Sequence, residues 1–304
     1  MLARVIEVEA LTKRYRARAA VSDLTVTVHP GRVTGFLGPN GSGKTTTIRC
    51  VLGLTRPTSG TTRVLGRPYR ELAHPMRRVG ALVDPRARHP GRTAHAHLLA
   101  LARSNGLPAH RVDDVLELVG LETVAHERVR GFSLGMGQRL GIAAALLGDP
   151  DVLLLDEPVN GLDPEGIRWV RELLRDLADE GRTVLVSSHL MSEMEDTADH
   201  LVVLGRGRLL ADVPMAELLG AHSAVRVRSP QAPVLAAALQ RAGASIELQI
   251  DGSLHVEGLD TDQVGDVAFL SGIRVHELTR VTASLEAAYL SLTGGEVEYR
   301  AVAP

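Results

Sequence analysis

The sequence predicts an α/β domain followed by a small α+β domain, and three observations carry that expectation. Over the first ~220 residues, short apolar runs alternate with segments of helical periodicity, the pattern of a sheet with helices packed on it. Within that stretch, Val33–Leu37 runs straight into a glycine-rich loop and then a helical segment, the order of strand, loop and helix. After Leu219-Gly220-Ala221-His222 the pattern changes to shorter units in the order β-α-β-β-α-β, which fits a small ferredoxin-like domain. The expected boundaries are 1–220 and 221–304, with an inserted helical region at about 85–148.

Taken in order, Ile6–Val8 and Leu24–Val28 read as early strands, and a helix is expected from Lys44 to Leu52. Thr93–Arg103 and Val112–Val119 read as helices of the inserted region. Ser133–Leu147 reads as a further helix, with Ser133 as its N-cap. Val152–Leu155 and Thr183–Ser187 are continuous apolar runs, as strands buried on both faces require. Between them, Ile167, Val170, Leu173, Leu174 and Leu177 fall at helical spacing. In the second domain, strands are expected at Val225–Arg228, Ile246–Ile250, Leu254–Val256 and Val275–Leu278. Helices are expected at Ala232–Ala242, Thr261–Leu270 and Ser284–Thr293, and a turn at Asp251-Gly252-Ser253.

Composition narrows the functional classes. A formal net charge of −2 and an aromatic content of 3% argue against nucleic acid as a partner, for want of both a basic surface and stacking platforms. Cys50 is the single cysteine, so neither an internal disulfide nor a thiolate metal cluster is available. The start, Met1-Leu2-Ala3-Arg4-Val5, lacks the apolar run of a signal peptide. The longest uncharged stretches, Leu140–Gly148 and Ser229–Gln240, fall short of the roughly 20 residues of a spanning helix. A cytoplasmic location is expected, with any membrane role supplied through another chain. Lys13 and Lys44 are the only lysines in an arginine-rich chain, and a compact ammonium is not interchangeable with a guanidinium at a tight phosphate site.

The chemistry sits in three motifs. Gly38-Pro39-Asn40-Gly41-Ser42-Gly43-Lys44-Thr45, followed by Thr46, satisfies G-x-x-x-x-G-K-[ST] between a strand and a helix. In such a loop backbone N–H groups converge on phosphates, Lys44 reaches the β/γ-phosphates and the Thr45 hydroxyl binds Mg²⁺. Val152-Leu153-Leu154-Leu155-Asp156-Glu157 ends a buried strand in two carboxylates, at the sheet edge where open α/β sheets bind ligands. Asp156 suits a Mg²⁺ role and Glu157 the polarisation of an attacking water. Phe132-Ser133-Leu134-Gly135-Met136-Gly137-Gln138-Arg139 places a serine cap and two glycines at a helix N-terminus, a second anion site or simply a capped helix.

These motifs, with Gly161-Leu162-Asp163 and Ser187-Ser188-His189 in that order, resemble the ATP-binding-cassette (ABC) ATPase family over roughly residues 5–220. The resemblance implies a P-loop ATPase with a RecA-like core, a helical subdomain and an antiparallel β-subdomain, using ATP and Mg²⁺. It implies a head-to-tail dimer in which Ser133, Leu134, Gly135 and Met136 contact the nucleotide on the partner's loop, with Asp163 linking the two sites. It further implies that Tyr15 stacks on adenine and that His189 contacts the γ-phosphate and helps orient the attacking water. Two positions depart from the family's common pattern. Phe132-Ser133-Leu134-Gly135-Met136 stands for Leu-Ser-Gly-Gly-Gln, and Asp84 stands for a glutamine, where it would ligate Mg²⁺ or a water. Both variants resemble the bacitracin- and lantibiotic-exporter branch, and the ending Ala283–Gly295 resembles ATPase subunits whose permease is encoded separately. The expected function is ATP hydrolysis that energises such a permease for export of an antibiotic, drug or similar small molecule. The alternative is a soluble ABC ATPase of translation or DNA metabolism.

Overall fold

In the computed structural model, residues 5–84, 86–221, 224–281, 285–286 and 288–289 are described. The chain forms two compact units that divide between Val213 and Pro214. The first opens with long strands β1 (Ile6–Tyr15) and β2 (Arg18–Val28), then β3 (Arg32–Leu37), helix α1 (Lys44–Val51), β4 (Ser59–Val64) and β5 (Val79–Leu82). Helices α2 (Ala94–Ser104), α3 (Arg111–Leu118) and α4 (Leu134–Leu146) follow, then β6 (Val152–Asp156), α5 (Pro164–Asp179) and β7 (Thr183–Ser188). Short α6 (Met191–Glu195), β8 (His200–Gly205) and β9 (Arg208–Pro214) complete it.

Two sheets organise this unit. One is antiparallel in the order β2-β1-β4; the other has the order β5-β6-β7-β3-β8-β9, with β5, β6, β7, β3 and β8 parallel. Every residue of β6 and β7 is buried, which is why these strands read as unbroken apolar runs. The core joins both sheets through Ile6, Leu24, Phe36, Ile48, Leu154 and Leu185.

β1 runs well beyond the Ile6–Val8 segment expected for it, and β2 starts at Arg18 rather than Leu24. Register shifts interrupt the β1–β2 pairing between Val8 and Leu11 and again around Lys13, and Ala10 has φ +48°. Each bulge breaks the two-residue alternation from which a strand is read. β4, with mostly exposed side chains, carries no apolar pattern at all and exists through its pairing with β1.

The second unit holds α7 (Met215–Ala221), β10 (Ala224–Arg228), α8 (Ala232–Arg241), β11 (Ser245–Leu248), β12 (Leu254–Glu257), α9 (Thr261–Leu270) and β13 (Glu277–Val281). A domain boundary at 220 would leave most of α7 with the first unit. The sheet is antiparallel in the order β11-β12-β10-β13, the ferredoxin-like arrangement for a β-α-β-β-α-β chain. Val225, Val227, Leu254 and Val256 face Leu235 and Leu239 of α8 and Val264 and Ala268 of α9 in its core. β11 stops two residues short of Ile250 because Gln249 N–H turns to donate to Ser253 O at 2.9 Å. β13 lies later than expected because its register with β10, Val227 to Leu278 and Ala224 to Val281, carries it on. The helix expected over Ser284–Thr293 falls mostly outside the described residues; Leu285, Glu286, Ala288 and Tyr289 are helical.

Candidate functional site: a phosphate-loop cavity

The loop between β3 and α1 closes over the carboxyl edge of the parallel sheet. Gly43 precedes α1 with φ +107°, and a Cβ there would meet Ala20 O at 2.7 Å, so the position admits only glycine. α1 therefore starts at Lys44 with its free N–H groups turned to the loop, a ready anion site. The Ser42 hydroxyl is buried there with no protein partner among the described residues, as a group waiting for an acceptor outside the chain would be. Lys44 is buried, and its ammonium donates to Gly38 O at 2.5 Å and Pro39 O at 3.4 Å. Burial pushes its pKa down, with Glu157 and then Asp156 acting against the shift.

β6 delivers Asp156 and Glu157 beside this loop. Ser187 Oγ of β7 donates to Asp156 Oδ1 at 2.5 Å, which fixes the buried carboxylate. Glu157 has φ +52°, a conformation uncommon for a residue with a side chain. The strain is held on both sides: Glu157 N–H donates to Ser187 Oγ at 3.0 Å, and Gln138 Nε2 of α4 donates to Glu157 O at 2.9 Å. The Glu157 carboxylate thereby lies 3.6 Å from the Lys44 ammonium and 2.8 Å from His189 Nδ1. Asn160 Nδ2 approaches it at 3.5 Å.

A cavity of about 470 Å³ is bounded by this cluster. Asn40, Gly41, Ser42, Gly43, Lys44, Thr45 and Thr46 of the loop line it together with Glu157 and His189. Tyr15 lines it from the end of β1, with its ring 4.9 Å from the Lys13 ammonium. Arg18, Ala20 and Asn160 also line it and belong to no motif singled out in the sequence. The β1–β2 hairpin and the loop after Glu157 bring them in, which local pattern does not reveal.

Several expected residues lie elsewhere. Ser133, Leu134, Gly135, Met136 and Asp163 do not line the cavity, and neither do Gly38, Pro39 and Asp156, although these last three border the loop or the strand end beside it. Ser133 Oγ caps α4 by accepting from Met136 N–H at 3.1 Å, and Asp163 Oδ1 caps α5 by accepting from Gly166 N–H at 2.9 Å. Leu134 is exposed and packs on Gly161, whose φ of +79° and lack of a side chain admit the contact. Asp84 is also absent from this cavity. It follows β5, three strand spacings from β3, or about 14 Å. Its carboxylate accepts from Arg86 N–H at 2.8 Å and borders a separate cavity of about 420 Å³ with Arg49, Tyr69, Arg88 and His97.

Oxygen donors of the kind that Mg²⁺ takes are present in the Thr45 hydroxyl and the Asp156 carboxylate. Among the described residues no three His, Cys, Asp or Glu side chains group to hold a metal unaided. A cation held here would complete its shell with oxygens from water or a bound phosphate, as Mg²⁺ usually does.

The ABC transporter family model matches residues 21–160, and a domain of unknown function matches residues 223–286. An uncharacterized ABC transporter ATP-binding protein of Bacillus subtilis, YhcH, is 36% identical over 293 residues, spanning 95% of this chain and 96% of its own. This chain belongs to the ABC transporter ATP-binding proteins. The bacitracin transport ATP-binding protein BcrA of Bacillus licheniformis is 43% identical over 217 residues, 70% of this chain and 71% of its own. A solved ATP-binding subunit of an ABC transporter superposes with a TM-score of 0.65 at 28% identity, covering 70% of this chain and 91% of that one. This ABC subunit is thus an ATPase, and the segment matched by the family model contains the phosphate loop. No helix among the described residues is long and apolar enough to cross a membrane.

Proposed function

We propose that two copies of this subunit close head to tail around two Mg²⁺-ATP, and that hydrolysis reopens them to drive a separately encoded membrane permease. The supporting observation is the division of the site. Lys44, Glu157 and His189 converge on one cavity, whereas the Ser133–Met136 turn lies outside it with Leu134 exposed. A γ-phosphate seated on the loop would therefore meet the Ser133 cap only from a second chain.

In this reading the loop N–H groups and Lys44 hold the phosphates, Thr45 and Asp156 hold Mg²⁺, and Tyr15 stacks on adenine. Mg²⁺ would offset charge on the β- and γ-phosphates. Glu157 takes the proton of the attacking water, and His189, donating Nδ1–H to the Glu157 carboxylate, keeps that base aimed. Asp84, outside the cavity, would engage Mg²⁺ or water only after the segment following β5 moves. The permease contacts the region from Asp84 to Thr93, at the inner face of the cell membrane. The name of the Bacillus licheniformis relative supports an antibiotic or similar small molecule as the exported substrate. Glu157→Gln should form a dimer in ATP by light scattering while hydrolysis falls at least ~100-fold. Turnover at the wild-type rate would remove Glu157 as the base.

A further inference from the structure

His189 sits between two residues whose positions are set by a side chain that the proposed chemistry does not use. Ser188, at the end of β7, is fully buried. Its hydroxyl donates to Glu193 Oε2 at 2.7 Å and accepts from Leu190 N–H at 2.9 Å. One hydroxyl thus ties the backbone on the far side of His189 to the near side, and Glu193 on α6 holds that hydroxyl in its orientation. Glu193 is half-buried, and its pKa is raised by burial and by Glu157, with the Ser188 hydrogen bond, His189 and Arg171 acting the other way. Arg171, the nearby cation of α5, is paired with Asp196 at 2.8 Å. Glu193 does not line the nucleotide cavity, so it has no direct route to ATP. The Ser188 hydroxyl is the hydrogen-bond donor that meets this half-buried carboxylate, so each side chain holds the other in place.

We propose that Glu193 is a positioning residue for hydrolysis: through the Ser188 hydroxyl it fixes the turn that carries His189 and so aims the imidazole at the Glu157 carboxylate. The inference rests on the assignment of Glu157 and His189 as the hydrolytic pair. It predicts a loss in turnover without a loss in nucleotide affinity, because the loop and Lys44 are untouched.

The test is steady-state ATP hydrolysis by the full chain carrying Glu193→Ala, Glu193→Gln, Ser188→Ala and the Glu193→Ala/Ser188→Ala pair. Glu193→Ala should lower kcat about tenfold at unchanged KM, since small misplacements of a catalytic group cost rate rather than binding. Glu193→Gln keeps an acceptor for the Ser188 hydroxyl and should restore kcat to within about twofold of wild type. Ser188→Ala should match Glu193→Ala, and the double variant should be no worse than either single, the signature of one shared interaction. An unchanged kcat in Glu193→Ala, a parallel rise in KM, or losses that multiply in the pair would overturn the proposal. Should Glu193→Ala not fold, Ser188→Ala decides alone, and wild-type turnover there would overturn it equally. Glu157→Gln in the same assay separates the two readings. An active Glu157→Gln sinks the hydrolytic pair, whereas an inactive Glu157→Gln beside a normal Glu193→Ala sinks only the positioning role.

Discussion

Burial pulls the Lys44 ammonium below the ordinary lysine range, and Glu157 at 3.6 Å only partly offsets that pull. The native chain therefore binds fewer protons at this group than the unfolded chain does between the depressed pKa and about 10.4. Across that window its contribution to folding stability rises with pH, because the unfolded state carries more protons. A bound triphosphate has the opposite linkage. It favours the ammonium, so ATP binding takes up a proton in the same window and weakens as pH climbs through it. Calorimetric titration of ATP in buffers of differing ionisation enthalpy should show this uptake at alkaline pH and lose it in Lys44→Ala. That variant should also bind ATP about 10- to 100-fold more weakly, from a charged hydrogen bond worth ~1.5–3 kcal/mol. Lys44 was legible in sequence because loop, lysine and threonine are contiguous. Its pairing with Glu157 was not, since the two residues meet only where β3 and β6 share a sheet edge.

Helices α4 and α5 show how a motif residue can hold an element and a site at once. Ser133 and Asp163 accept hydrogen bonds from their third-following N–H groups, so each ends an otherwise unpaired first turn. Ser133→Ala and Asp163→Ala should each cost ~1 kcal/mol of stability, whereas Asp163→Asn, itself a good cap, should cost little. Urea unfolding midpoints measure these losses. ATPase rates measured well below the midpoint then show whether Ser133 contributes more than its cap. The cap at Ser133 was readable because serine precedes the helical run. The extent of β1, by contrast, was hidden by its bulges, and β4 by a sequence of mostly polar residues that pairs only because β1 presents an edge to it. Arg18 and Asn160 reached the cavity through turns whose geometry no periodicity encodes.

For the whole molecule, the sharpest consequence of the divided site is complementation between inactive chains. Lys44→Ala spoils the loop and Ser133→Arg the turn that would meet the partner's nucleotide. In a mixed dimer both defects fall in one composite site and leave the other intact. Mixing the two variants in equal amounts should recover up to about a quarter of wild-type hydrolysis, since half of random dimers pair unlike chains and each keeps one of two sites. No recovery, from variants that still dimerise, would argue that each chain completes its own site.

By itself the sequence determined the α/β class, the ferredoxin-like order of the second unit and the identity of the phosphate loop, because each is written in contiguous residues or in a local period. Tertiary structure alone decided which of those residues meet. Strand order puts Asp156 and Glu157 beside Lys44 but leaves Asp84 three strands away from it. The positive φ of Glu157, held by Ser187 and Gln138, turns its carboxylate toward His189. The Ser133 turn stays outside the cavity. Adjacency across a sheet is set by long-range pairing, and no local pattern in the chain records it.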